Sequence, residues 1–303
     1  YAIGSCTGSI IFQASDNGIQ ATISKSTGSV IGDYLSHRDM DATGGATFIA
    51  NNSVDLGNNT GWTINTAAPL DLYWVGGTGN WDDPNHWAAS SGGPGGYCLP
   101  TAIDDVFFDN LSFTGINDTV LINIGNAVCH NMTWTGAQNT PVFDGPEENN
   151  LRIYGSLTFI EEMSFDFEGE VFFEATTPGH TITSAGHTYN NNVTFQGING
   201  GWALMDSLTV GDNTHEVILK YGHLNTNSKI VSCRTFNSNF SGNQRTLTIE
   251  NSIINCSYRW YISGNCLTLN AFNSLITCKR FYHYDDAKDY WNIDLKYDNY
   301  LSL

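Results

Sequence analysis

The sequence predicts an all-β chain wound as a parallel β-helix, and three observations support this prediction. Short runs rich in Thr, Val, Ile and aromatic residues end at Gly, Asn or Asp, as strands do where the chain turns. No sustained helical spacing of apolar residues interrupts these runs. Residues 246–256 and 267–278 nearly repeat each other, and repetition at about 20 residues is typical of stacked coils.

The competing architecture is an antiparallel sandwich, which requires tight two-residue hairpins at regular intervals. Clear Asn-Gly hairpin signals occur at Asn17-Gly18 and Asn199-Gly200, and the other turns are irregular. The repeat evidence therefore favours the parallel β-helix. Nine Asn residues just after predicted strands fit this fold, because tight corners tolerate left-handed backbone at Asn.

A change in composition near Ala67-Ala68-Pro69 predicts a joint between two units. We expect residues 1–67 to form the C-terminal coils of a preceding β-helical unit. Residues 68–100, which are rich in Trp and Gly, are expected to form a junction and cap. Residues 101–303 then form a second β-helical unit that is truncated at its C-terminal end.

Length and charge limit the function classes. The 303 residues include 41% hydrophobic residues, which is enough for a continuous core. The formal net charge of −18 repels phosphate backbones, anionic lipids and polyuronates, so nucleic acid is not expected as a partner. No apolar run reaches the roughly 18 residues that a membrane helix requires.

The cysteines are spaced for a column within the coils. Cys233, Cys256 and Cys278 each close a short β-like run, and they lie 23 and 22 residues apart. Adjacent rungs fall within disulfide distance, so one pair could be oxidised, although a stack of buried thiols is favoured. Cys98 and Cys129 form a separate candidate pair. No Cys-x-x-Cys spacing indicates a zinc site.

Three tryptophans, Trp74, Trp81 and Trp87, are interleaved with glycines. Their faces could form a platform on which a sugar ring stacks. The favoured interpretation is a cap, because the open end of a solenoid core must be covered.

Catalytic and metal-binding patterns are missing from the sequence. Adjacent carboxylates such as Asp104 and Asp105 point to opposite faces of a strand, so they do not form a catalytic pair. His180, His187 and His223 are expected at corners or on the surface. We therefore predict no catalytic residue, no metal site and no cofactor beyond weak calcium binding. A polysaccharide-degrading enzyme stays an alternative because β-helices also host such enzymes.

Several segments carry a family resemblance. YWVGGTGNWDDPNHW (residues 73–87), PTAIDDVFFD (residues 100–109), CHNMTWTG and GHLNTNSKIVSCRTFNS resemble repeat units of very large Bacteroidota surface proteins. These proteins include gliding-motility adhesins that are exported by the type IX secretion route. The resemblance covers nearly the whole chain, and only residues 281–303 depart from it.

The resemblance implies an extracellular structural and adhesive segment at the surface of a Gram-negative cell, involved in surface attachment or gliding motility. The implied partners are an external surface or polysaccharide, the rest of the same giant chain, and secretion or outer-membrane anchoring proteins. Asp118-Thr119-Val120 and Asp206-Ser207-Leu208 resemble the O-glycosylation acceptor pattern of Bacteroidota, which makes Thr119 and Ser207 candidate glycosylation sites. A glycan-binding module is the first alternative function.

Overall fold

A computed structural model describes residues 2–16, 18–211 and 214–302 and confirms an all-β parallel solenoid of about 12 turns. The described strands pair in parallel, except that Trp87–Ala88 pairs antiparallel with Asp71–Trp74. The antiparallel sandwich is thereby excluded. Among the described residues, no helix has the length and apolarity needed to cross a membrane.

The first eight strands form a separate group, the N-terminal coils. They are β1 (Ala2–Ile3), β2 (Ile10–Gln13), β3 (Ala21–Ser24), β4 (Ser29–Asp33), β5 (Leu35–Arg38), β6 (Met40–Thr43), β7 (Thr47–Asp55) and β8 (Trp62–Thr66). They make one six-stranded and one two-stranded sheet, and neither sheet pairs with a later described strand.

The remaining strands form the main solenoid. The first part comprises β9 (Asp71–Trp74), β10 (Gly79–Asn80), a 3₁₀ turn (Pro84–His86), β11 (Trp87–Ala88), β12 (Asp105–Phe107), β13 (Thr119–Leu121), β14 (Asn126–Cys129), β15 (Met132–Thr133), β16 (Val142–Asp144), β17 (Asn150–Ile153), β18 (Leu157–Thr158), β19 (Ser164–Phe165) and β20 (Glu170–Phe173). The second part comprises β21 (His180–Thr183), β22 (Thr188–Tyr189), β23 (Val193–Phe195), β24 (Gly201–Leu204), β25 (Leu208–Val210), β26 (Glu216–Leu219), β27 (Gly222–Asn225), β28 (Ile230–Ser238), β29 (Arg245–Thr248), β30 (Ile253–Ser263), β31 (Leu267–Asn270), β32 (Leu275–Tyr284) and β33 (Asn292–Ser302).

Each early coil of the main solenoid places one strand on each of three faces. Face 1 is the sheet β11-β9-β12-β15-β18-β21-β24-β27-β29-β31, face 2 begins as β10-β13-β16-β19, and face 3 runs β14-β17-β20-β23-β26-β28-β30-β32-β33. Face 2 continues in β22 and β25, and β25 pairs with β28. From β28 onward the second and third strands of a coil therefore join into one long bent strand.

The core consists of columns in which one apolar side chain lies above its counterpart in the previous coil. On face 3, Phe236, Trp260 and Phe281 are successive register partners, and all three are fully buried. The ring centroids of Trp260 lie 4.9 Å from Phe236 and 6.4 Å from Phe281. Because one coil cannot bury its apolar face alone, this stacking supplies the core.

Asparagines connect neighbouring coils at the corners. Asn227, Asn251 and Asn273 have φ of 50°, 54° and 54°, so left-handed backbone is confirmed at three of the nine asparagines, while the other six lack positive φ. Asn273 also donates a hydrogen bond to the Asn251 side chain at 2.9 Å, across 22 residues of sequence.

The N-terminal coils lie against the side of the main solenoid. Cys6 and Cys98 form a disulfide, and the Leu99 amide donates to the Cys6 carbonyl at 2.8 Å. Further along, Arg38 contacts the Glu174 carboxylate at 3.2 Å. The sheet change between β8 and β9 coincides with the predicted joint, while the assignment of residues 1–67 to a preceding unit stays a prediction.

Glu174 is the centre of this lateral contact. Its Oε1 accepts hydrogen bonds from Arg38, Arg152 at 2.9 Å and Gln196 at 2.5 Å, and the residue is 3% exposed. Burial by itself raises the pKa of Glu174, but the charges of Arg152 and Arg38 outweigh burial and hold the pKa below its ordinary value of 4.5. The contact is therefore strongest when Glu174 is ionised.

The substitution Trp260→Ala tests the stacked core. It should lower the free energy of unfolding by about 3–5 kcal/mol, because a large buried ring leaves a cavity. Chemical denaturation followed by far-UV circular dichroism measures the change. The control Ile116→Ala truncates a side chain that is 79% exposed and should have almost no effect on the free energy of unfolding. Equal losses of stability in both variants would contradict the role of the stacked column.

Acidification tests the lateral contact. A carboxylate whose folded pKa is depressed stabilises the folded state fully above its ordinary pKa, and this contribution is lost as pH falls through the folded value. Hydrogen exchange in residues 2–66, expressed relative to the intrinsic rate at each pH, should therefore increase as pH falls below about 4.5. Glu174→Gln should raise this exchange already at neutral pH and weaken its pH dependence. The exposed control Glu250→Gln should behave as the wild type, and an unchanged Glu174→Gln profile would refute the role.

Candidate functional site

A groove of about 700 Å³ lies along the bend that joins faces 2 and 3 in β28, β30 and β32. The strand register shifts at this bend, between Cys233 and Thr235 in β28 and between Asn255 and Arg259 in β30. Irregularities of this kind bend a strand and redirect its side chains. The outer surface of these coils is therefore concave.

The floor of the groove is a column of small polar side chains. Thr188, Thr209, Ser232, Asn255 and Thr277 are successive register partners and line the groove. The first four alternate with buried neighbours along their strands, so they point outward, whereas Thr277 lines the groove but is only 6% exposed. Hydroxyl and amide groups thus recur at the interstrand spacing of about 4.8 Å.

Basic residues are concentrated on the last coils beside this column. Five of the chain's 12 lysines and arginines lie there, and we call them the basic patch: Arg234, Arg259, Lys279, Arg280 and Lys296. Lys279 and Lys296 line the groove directly.

Tyr258 holds two arginines of the basic patch in place. The Arg234 guanidinium lies 4.6 Å from the centre of the Tyr258 ring, and Arg280 donates to the Tyr258 hydroxyl at 3.0 Å. Arg259 lies 4.5 Å from the Tyr261 ring and contacts Glu216 at 3.5 Å. These contacts orient the three guanidinium groups.

The three tryptophans of the candidate sugar platform lie in the core, so the sugar-stacking interpretation is wrong. Trp74, Trp81 and Trp87 are 0%, 1% and 0% exposed. The Trp74 indole donates to the Gly77 carbonyl at 2.7 Å, and the Trp87 indole donates to the Trp81 carbonyl at 2.8 Å. Edge-to-face packing on Trp87 completes the cluster, which fills the first coils as a cap would.

The pairing of Cys98 with Cys129 is also wrong, because Cys98 is bonded to Cys6. Cys129 is a free and fully buried thiol on β14. Its side chain points into the core of the main solenoid, whereas Cys98 lies in the segment that contacts the N-terminal coils. Sequence spacing gave no sign that Cys6 would approach from 92 residues away.

The predicted cysteine column exists as buried thiols. Cys233 and Cys256 are register partners, Cys278 occupies the corresponding run of β32, and all three are free and buried. Burial raises the pKa of Cys256 well above its ordinary value, with a further contribution from Cys233, and burial raises the pKa of Cys278 to about 12. These thiols are core residues of low reactivity.

The two candidate glycosylation sites follow carboxylates that stabilise turns. Asp118 accepts hydrogen bonds from the Thr114 and Gly115 amides, and Asp206 accepts from Ser184 and Ala185. Ser207 is exposed and Thr119 is half-buried. The acidic residue of each tripeptide thus has a structural role, and glycosylation of Thr119 and Ser207 stays a prediction.

The doublet Asp104-Asp105 behaves as strand geometry predicts. Asp104 is buried and accepts from the Leu70 and Thr101 amides, whereas Asp105 faces outward and contacts His130 Nδ1 at 2.7 Å. Burial by itself raises the pKa of Asp105, but hydrogen bonds from His130 and Asn131 hold it below its ordinary value. This histidine–carboxylate pair was missed in the sequence; it lies on earlier coils than the groove.

The other site predictions concern histidines and metals. His180 and His187 are half-buried and His223 is exposed, as expected for corner or surface positions. Within the described ranges, no group of three or more His, Cys, Asp or Glu side chains could hold a metal ion. Weak calcium binding stays a prediction.

The sequence runs that end in cysteine also contain a signal for the groove. In the runs KIVSC, SIINC and SLITC, the residue before each cysteine is Ser232, Asn255 or Thr277. Alternation along a strand places that residue outside when the cysteine is inside. The repeat that predicted a buried column therefore also predicted an exposed polar one.

Comparisons of the chain with protein-family models, with curated proteins and with solved structures find no match.

Thiol labelling tests the assignment of the cysteines. In the folded protein, Cys266, which is half-buried, should react with iodoacetamide, whereas Cys129, Cys233, Cys256 and Cys278 should react only after denaturation, because the thiolate is the reactive form and burial suppresses it. Peptide mass spectrometry measures the modified fraction. Rapid native labelling of Cys256 would contradict the buried column.

Proposed function

We propose that this chain is a structural and adhesive segment of a very large cell-surface protein, which attaches to external polysaccharide through the groove. The protein acts outside a Gram-negative cell, in surface attachment or gliding motility. The single observation that carries the proposal is the outward polar column, which continues across five coils in register.

A column of polar side chains that repeats from coil to coil matches a ligand whose polar groups also repeat. The hydroxyl groups of a polysaccharide recur along its chain, and the groove offers hydroxyl and amide partners that recur along the solenoid. Thr277 Oγ1 already donates a hydrogen bond to the side-chain amide oxygen Oδ1 of Asn255 at 2.9 Å, which orients both side chains. Orientation before binding lowers the entropy cost of the complex.

Two further features support an extracellular adhesive role. The Cys6–Cys98 disulfide favours an oxidising compartment. The Thr, Ser and Asn side chains of the groove carry no charge, and no His, Asp or Glu is among the described residues that line the groove. Binding therefore accounts for these residues more simply than cleavage does.

A steric variant tests the proposal. Thr209→Trp should weaken binding to polysaccharide by at least about tenfold, because the large side chain fills the groove. The matched control is Thr183→Trp, which changes another half-buried, outward-facing threonine on face 1. Affinity electrophoresis in gels that contain soluble polysaccharides measures both variants.

Two results would overturn the proposal. Equal effects of Thr209→Trp and Thr183→Trp would remove the groove as the attachment site. Release of soluble oligosaccharides by the wild-type chain, measured as new reducing ends, would instead favour the polysaccharide-degrading alternative.

A further inference from the structure

We infer that the groove selects an acidic polysaccharide, one whose carboxylate or sulfate groups contact the basic patch. This inference rests on the proposed function of the groove and adds the chemical class of the ligand. It departs from the expectation from net charge, which counted polyuronates among the repelled molecules.

The distribution of charge carries the inference. The chain has a formal net charge of −18 and 12 basic residues, yet five of these lie on the coils formed by β28, β30, β32 and β33. The acidic residues on these strands and on the adjacent β26 are Glu216, which contacts Arg259, Asp294, which follows Thr277 in the register of the column, and Asp298. Cations therefore exceed anions locally, although the whole molecule is acidic.

The positions of the lysines distinguish a binding role from a purely structural one. Arg234, Arg259 and Arg280 pack on tyrosine rings, which by itself explains them as surface stacking. Lys279 and Lys296 instead line the groove, on the neighbouring strands β32 and β33. A ligand that lies on the polar column therefore meets these two ammonium groups at the end of the groove.

The fixed arginines add to this field at low entropic cost. Tyr258 lies between Arg234 and Arg280, with guanidinium carbons at 4.6 and 5.2 Å from the ring centre. Charged groups that are already oriented lose little freedom when an anion binds. A polysaccharide bound on the column would thus place its acidic groups near these cations, while its hydroxyl groups contact the neutral side chains of the column.

Nucleic acid fits these features less well than an acidic polysaccharide does. Duplex DNA carries one charge per about 1.7 Å, and the strongly acidic remainder of the chain opposes such a dense polyanion. Sequence-tolerant binding of single strands also uses exposed aromatic platforms. The column offers hydroxyls and amides instead, and Tyr258 is engaged by arginines.

Binding of the 303-residue chain to polygalacturonate, compared with the carboxyl-reduced form of the same polymer, tests the inference. We expect the reduced polymer to bind at least about fivefold more weakly, and added salt to weaken only the acidic complex. The double variant Lys279→Gln/Lys296→Gln should lose about fivefold for the acidic polymer and almost nothing for the reduced one. Heparin, with sulfate groups, repeats the comparison for the second kind of anion.

The control is Lys25→Gln/Lys229→Gln. It removes the same charge from one exposed and one half-buried lysine, as in the test variant, and neither control lysine lines the groove. It should bind as the wild type does. Circular dichroism of all variants confirms that each remains folded.

The outcomes separate the two proposals. Equal binding of both polymers, sensitive to Thr209→Trp, would keep the adhesive groove and overturn the acidic ligand. If Lys279→Gln/Lys296→Gln and Lys25→Gln/Lys229→Gln weaken binding of the acidic polymer equally, the effect is one of net charge, and the inference of an acidic ligand is overturned. Tighter binding of a single-stranded oligonucleotide through Lys279 and Lys296 would replace the polysaccharide by nucleic acid. Absence of binding to every polysaccharide would overturn the proposed function itself.

Discussion

The parallel hydrogen-bonded register between coils is the constraint on which the rest of this structure depends. Each residue lies above a partner one coil earlier, so a property at one position recurs as a column along the axis. Inside, this gives the Phe236–Trp260–Phe281 stack. Outside, the same rule gives the polar column of the groove. The core and the candidate site therefore follow from a single repeat.

Alternation along the strand separates these two columns by one residue. Ser232 faces outward and Cys233 inward, and the pattern returns at Asn255 and Cys256. The register shift that follows in each strand bends the sheet, and the bend converts a flat outer face into a groove. A small local irregularity, repeated in register, thus creates a concave surface.

The sequence predicted the features that repeat from coil to coil, and it did not predict contacts between residues that are distant in the chain. Short strands, coil repeats and the cysteine column are all encoded within about 25 residues of chain, so the fold and the buried thiols could be predicted. The Cys6–Cys98 bond and the Arg38–Glu174 contact join residues separated by 92 and 136 positions. No local pattern predicts such contacts. For the tryptophans, the sequence left an exposed platform open beside the favoured cap, because glycine-rich spacing is common to turns and to binding loops.

The Cys6–Cys98 disulfide also determines how mechanical tension would travel through the chain. When the polypeptide is pulled along its length, force passes from Cys6 directly across the covalent bond to Cys98. The strands β2 to β8 lie within the closed loop, so tension carried along the backbone bypasses them. The force reaches the main solenoid beyond the loop, where the ladders between coils resist it together. An adhesive fibre that contained this segment would extend little at its N-terminal coils, whatever their own stability.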